Sequence, residues 1–184
     1  MKKSKKAGIA AGILLAVLLA AVTGQKIYAV NTRYPQAKIQ YIPCGETREI
    51  KSGLTMRICK KEWLSGRDYI KKYGKAMDVT SDENSMILLL DVEIRNPGDQ
   101  ENQMDLSELY LEEKGYSQGI SLENFVEFND GMLVRLKPEE KTTAKLFYQL
   151  EREQFTEEQW KRIEQENFYL VNQRYPEKIE WYIQ

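Results

Sequence analysis

An all-β domain behind one membrane-spanning helix is the architecture this sequence predicts, and three features predict it. An uncharged apolar run, "AGIAAGILLAVLLAAVTG", follows four lysines at the N-terminus. Downstream, short segments alternate apolar and polar residues at period two, divided by Gly, Pro, Asn and Asp. Only two segments carry helix signals, so strands and helices do not interleave as a βαβ fold requires. A sandwich or barrel with two short helical insertions is expected.

The leader comes first. Residues Ala7 to Gly24 hold no charge, and at about 1.5 Å per residue they cover roughly 27 Å, close to the hydrocarbon thickness of a bilayer. Positive flanks resist translocation, so the lysine cluster stays cytoplasmic and Gln25 to Gln184 lies outside. The expected organisation is a basic tail (1–6), a signal-anchor helix (7–24), a polar stalk (25–32) and one domain (33–184). Cleavage of a signal peptide, releasing a soluble secreted domain, is the alternative. The small-x-small sites around Ala21–Thr23 and Ile27–Ala29 match Ala-x-Ala poorly. No cysteine follows the apolar run closely enough for lipoprotein processing.

Charge and composition exclude several classes. The chain has 27 Lys+Arg and 28 Asp+Glu; without the four leader lysines this leaves 23 against 28, about −5 for the exported part. A mildly acidic domain with no basic stripe does not suit nucleic acid or anionic lipid. There is no histidine, which removes His-based triads, His metal ligands and a His proton switch together.

The strands follow in order. "KIQYI" (38–42) alternates; "TREI" (47–50) and "LTMRICKK" (54–61) form a hairpin about Gly53, with Leu54, Met56 and Ile58 on one face. "SGRDYIKKYG" (65–74) reads as a helix capped by Ser65 and stopped by Gly74. "MILLLDVEIRN" (86–96) is the strongest strand. Leu88, Leu90, Val92 and Ile94 share one face, and Ile87 and Leu89 indicate burial on both sides at its start. "NPGD" (96–99) turns the chain. "ELYLEE" (108–113) ends at Lys114-Gly115, and "ENFVEF" (123–128) and "MLVRLK" (132–137) are expected to form a hairpin about "NDG". "TTAKLFYQL" (142–150), "FYLV" and "KIEWYI" (178–183) complete the set. Between them "FTEEQWKRIEQE" carries a full helix start, with Thr156 as N-cap, Gln159 as its capping-box partner, and Phe155 and Trp160 as a hydrophobic staple.

One phrase occurs twice: "NTRYPQAKIQYI" (31–42) and "NQRYPEKIEWYI" (172–183). Proline suits the entry to a strand at a sheet edge. Nothing else repeats, so the two copies are read as one local job at the first and last strands.

The order of segments resembles the immunoglobulin-like ectodomains of uncharacterised membrane-anchored proteins and lipoproteins of Gram-positive bacteria, described as telokin-like or immunoprotective-extracellular-like. The basic leader with its apolar run, "ILLLDVEIRNPGD" and "LKPEEKTTAKLFYQL" carry the resemblance, over roughly 33–184. Where such families have a Leu-x-Pro-Gly-Glu turn, this chain has Glu139 in place of the glycine. The resemblance implies an immunoglobulin-like β-sandwich and no activity.

Candidate sites are few. The oxygen-rich loops "DVTSDENS" (78–85) and "NPGDQEN" (96–102) lack the spacing of a calcium loop and read as solvated turns. Adjacent carboxylates such as Glu112–Glu113 and Glu139–Glu140 point to opposite faces of a strand and cannot flank one bond. There is no Gly-x-Ser-x-Gly elbow, and Cys44 has neither a histidine base nor a nearby Lys/Arg cluster to activate it. As an exported pair, Cys44 and Cys59 either form a disulfide or remain two thiols. Tyr69 and Tyr73, one helical turn apart, are the candidate exposed interaction patch. No catalytic residue, cofactor or metal ligand is expected. The expected partners are the membrane, through the leader, and an envelope protein; a carboxylate-based cell-wall hydrolase is the remaining alternative.

Overall fold

A computed structural model describes residues 2–50, 52–74, 79, 84–172 and 175–183. The chain divides into two units, residues 1–37 and 38–184. The first is one helix, α1 (Lys2–Arg33). Its stretch Gly12–Arg33 has a mean hydropathy of 1.9, is unburied, and is long and apolar enough to cross a membrane. Residues 25–32, expected as a stalk, continue the same helix.

The second unit is a β-sandwich. One layer has the strand order β1 (Lys38–Ile42), β11 (Glu177–Tyr182), β10 (Tyr169–Asn172), β6 (Tyr110–Glu113), β7 (Tyr116–Gly119). A four-stranded sheet orders β2 (Arg48–Glu49), β3 (Thr55–Ser65), β4 (Ser85–Arg95) and β9 (Lys141–Glu151). A separate pair joins β5 (Asn102–Asp105) to β8 (Leu133–Leu136). Alternation fills the space between: Met56, Ile58, Leu88, Leu90, Val92, Ile94, Leu146 and Tyr148 from one sheet meet Leu111, Leu170, Ile179 and Trp181 from the other, all essentially inaccessible.

β3 shows how the sequence solves a parity problem. Met56 and Ile58 face the core, but Trp63 is an odd number of residues further on and would point outward. The ladder to β4 passes from Ile58/Val92 to Lys60/Asp91, leaving Cys59 as the extra residue of a bulge. The bulge resets the phase, so Trp63 sits opposite Leu88 and packs against the core and Phe168.

The helical insertions carry the expected caps. α2 (Gly66–Tyr73) starts at Ser65, whose hydroxyl accepts from the Asp68 N–H (3.1 Å), and ends at Gly74 at φ +93°. Thr156 and Gln159 form the complete capping box, and Phe155 touches Trp160 at 6.2 Å. That helix, α4 (Glu157–Trp160), is only one turn long. Arg162 leaves helical geometry, and a 3₁₀ turn at Ile163–Gln165 seats Ile163 in the core.

Two expectations are corrected. "ENFVEF" is no strand: α3 (Leu122–Phe125) and a turn occupy it, burying Phe125. β8 therefore has no hairpin partner there and pairs with β5, a strand the sequence did not suggest. The Asn of "NDG" is recruited instead by β9. Asn129 Nδ2 donates to the carbonyls of Lys145 (2.8 Å) and Phe125 (3.0 Å), and its Oδ1 accepts from the Lys145 N–H (3.0 Å).

Candidate functional site

The residues singled out from sequence do not converge. Cys44 lies in the turn before β2 and Cys59 at the bulge; both are free and exposed, so the disulfide considered for them is not formed. Pairing between β2 and β3 stops at Arg48, and no ladder brings Cys44 alongside the bulge. Tyr69 and Tyr73 are not an exposed patch. Tyr69 is fully buried, edge-on to Phe147 (5.3 Å), and Tyr73 packs edge-on to Phe128 (5.6 Å). They close a second small core with Ile87 and Leu89 on the outward side of β4. Burial pushes the Tyr69 phenol up to about 12.

The carboxylates are largely committed. Glu139 pairs with Arg95, and Glu140 accepts from the Lys137 N–H (2.8 Å). Among the described residues no group of three or more Cys, Asp or Glu could hold a metal ion. Most of "DVTSDENS" lies outside the described residues. In "NPGDQEN", the buried Asn96 carboxamide organises the turn: Nδ2 donates to the carbonyls of Gln100 (2.7 Å) and Leu136 (2.9 Å), and Oδ1 accepts from the Gly98 N–H (3.0 Å). A Cβ on Gly98 would meet that Oδ1 at 3.2 Å, so the glycine is there for close approach.

Two surface features have a definite chemistry. The first is the outward face of the five-stranded sheet. Lys178 donates to Glu112 (2.5 Å) and Glu180 (2.6 Å). Burial alone would lower the Lys178 pKa, but the two carboxylates outweigh it and the net shift is upward. Tyr169 stands between Tyr41 (5.8 Å) and Tyr182 (5.4 Å), so three rings border this charge cluster, and Tyr41 is well exposed.

The second is a cleft of about 400 Å³ between β8 and β9, within the size range of ligand clefts. The chain turns from one strand to the other at residues 137–140, where the Glu140 N–H donates to the Lys137 carbonyl (3.1 Å). The two strands then diverge, β8 to β5 and β9 to β4. Leu133, Arg135 and Leu136 line one wall, Lys141 and Thr143 the other, and Asn129 stands at the far end. Neither feature announces itself in the sequence. Each is made by which strands pair, and alternation does not encode that.

A family model described as a domain of unknown function (DUF5028) matches residues 42–179. No curated protein sequence is matched. Among solved structures, the chain is similar to an uncharacterised β-sandwich protein from Clostridium difficile 630 (12% identity, 81% of this chain and 97% of that one, TM-score 0.46). It is also similar to a conserved hypothetical protein from Bacillus anthracis (13%, 77% and 94%, 0.49) and to the yjhA protein from Bacillus subtilis (18%, 72% and 80%, 0.43).

Proposed function

The chain belongs to the DUF5028 family, and from that premise we propose that it is a single-pass membrane protein with its N-terminus in the cytoplasm. It holds a non-catalytic immunoglobulin-like β-sandwich outside the cell, where the domain binds or supports another envelope protein. The observation that carries this reading is α1, whose apolar stretch Gly12–Arg33 is unburied and follows a lysine cluster. The non-catalytic part is supported by the carboxylates of the sandwich being tied to cations or main chain, as at Glu93, Glu112, Glu139, Glu140 and Glu180.

The two free cysteines supply the test, because both are exposed and the chain has no others. A membrane-impermeant maleimide added to intact cells is expected to label Cys44 and Cys59 on a membrane-fraction protein of the full 21.5 kDa. Labelling only after lysis would refute the topology. A labelled species in the medium, lacking the leader, would establish secretion instead.

A further inference from the structure

The cleft between β8 and β9 is walled by two strand edges, and hydrogen-bond parity shows what those edges present. The Asn96 N–H donates to the Glu140 carbonyl (2.9 Å), in step with the register Ile94↔Thr142 and Val92↔Ala144. The even-numbered residues of β9 therefore bond to β4, and Lys141, Thr143 and Lys145 turn their main-chain N–H and C=O groups the other way. On β8 the Leu106 N–H donates to the Met132 carbonyl (2.8 Å), in step with Met104↔Val134 and Asn102↔Leu136. Leu133 and Arg135 likewise turn their main-chain groups away from β5. Lys141 and Thr143 from the first set, with Leu133 and Arg135, line the same cleft.

One rung is already occupied, and by an amide. At Lys145 the Asn129 carboxamide both donates and accepts, as a neighbouring strand would (2.8 and 3.0 Å). The next rungs, Thr143 and Lys141, have no main-chain partner among the described residues. From Lys141 to Lys145 the edge runs about 13 Å, bounded by the 137–140 turn and by Asn129. Arg135 and Lys141 are balanced by Asp130 and Glu140 around the cleft. The walls therefore favour neither sign of charge, and the recurring chemistry they offer is that of a peptide backbone.

We infer that this cleft is a strand-insertion site, which takes an extended segment of about three to four residues from a partner protein by main-chain pairing to Thr143 and Lys141 on one side and Leu133 and Arg135 on the other. This rests on the protein-binding part of the reading above and names its place and mode. It does not depend on which side of the membrane the domain occupies.

The test uses the full chain in detergent micelles and heptapeptides selected from a random phage-displayed pool. Hydrogen exchange at the amides of Arg135 and Thr143 is expected to slow at least tenfold when a selected peptide is added. N-methylating alternate residues of that peptide should weaken binding at least tenfold in either phase, because one phase faces β9 and the other faces β8; an effect confined to one phase would overturn insertion between the two edges. Thr143→Val keeps the edge N–H and should bind as the parent does. Thr143→Pro removes that N–H without touching the β4 ladder and should lose binding. The inference is overturned if repeated selection yields no peptide, or if selected peptides protect amides elsewhere. It is also overturned if the same amides are already protected by self-association of peptide-free protein. None of these results would alter the maleimide outcome, so tethering and insertion fail separately.

Discussion

The main-chain N–H of Lys38 donates to the carbonyl of Pro176 at 3.1 Å. The first and last strands therefore enter the sheet together and run parallel, Lys38 opposite Glu177 and Ile42 opposite Trp181. This accounts for the phrase that occurs twice, with one correction: only β1 is an edge strand, and β11 lies between β1 and β10. Both Tyr-Pro pairs deliver an alternating strand to the same end of the same sheet, and Gln40 fastens the pair by donating to Glu177 (2.6 Å).

Closure of the sandwich by these two strands has a measurable consequence. Trp181 is fully buried, whereas Ile42 is half-buried against the same core. Trp181→Ala should lower unfolding stability by about 3–5 kcal/mol, and Ile42→Ala by about 1–2 kcal/mol. Because the two residues face each other across the ladder, the double variant should depart from additivity by about 0.5 kcal/mol or more in urea titrations. Additive losses would mean that β1 lies on the sheet without sharing its core.

Asn96 holds the turn after β4 with three hydrogen bonds from a fully buried side chain. Asn96→Ala strands the Leu136 carbonyl and the Gly98 N–H, an expected loss of about 1–3 kcal/mol. Asn96→Asp should be worse, because it aims a carboxylate oxygen at two carbonyls in place of their donor. Thermal melts of the two variants decide it: an aspartate variant as stable as the alanine one would show that water reaches this turn.

Much of this architecture is legible in the residues. The two-faced burial of β4 is announced by Ile87 and Leu89 flanking the alternating Leu88, Leu90 and Val92, and the caps at Ser65 and Thr156 are announced by short-range chemistry. What fails is long-range. β5 contains a single apolar residue, Met104, too little to show a period. The Asp-Gly signature after Asn129 was overruled because the edge of β9 captured that side chain. Tyr69 was misplaced because its partner, Phe147, lies on a strand nearly eighty residues away. The cleft is invisible for the same reason, since it exists only because β8 and β9 pair elsewhere.

Acid should destabilise the domain through specific carboxylates. The hydrogen bond from Lys141 holds Glu93 below its ordinary value of 4.5, with Arg57 adding to it; Lys72 does the same for Glu62. A carboxylate whose folded pKa is depressed contributes fully above its unfolded pKa and loses that contribution as pH falls through the folded one. The urea midpoint should therefore drop as pH falls from about 5 towards 3, and Glu93→Gln with Glu62→Gln should flatten the dependence. An unchanged slope in the double variant would place the acid sensitivity elsewhere.

Glu139 occupies the turn between β8 and β9 at φ +61°, the left-handed conformation that glycine adopts without a steric penalty. The backbone here has the geometry that suits glycine, and the Glu139 side chain opposes it. Its ion pair with Arg95 involves two exposed groups and contributes little. Glu139→Gly should therefore raise stability, by about 0.5–1 kcal/mol after allowing for the larger unfolded-state entropy of glycine. Glu139→Ala keeps the Cβ and loses the ion pair, so it should be no more stable than the parent. Chemical denaturation of the three proteins checks the order. A glycine variant less stable than the parent would mean that the Arg95 contact, and not the backbone, governs this turn.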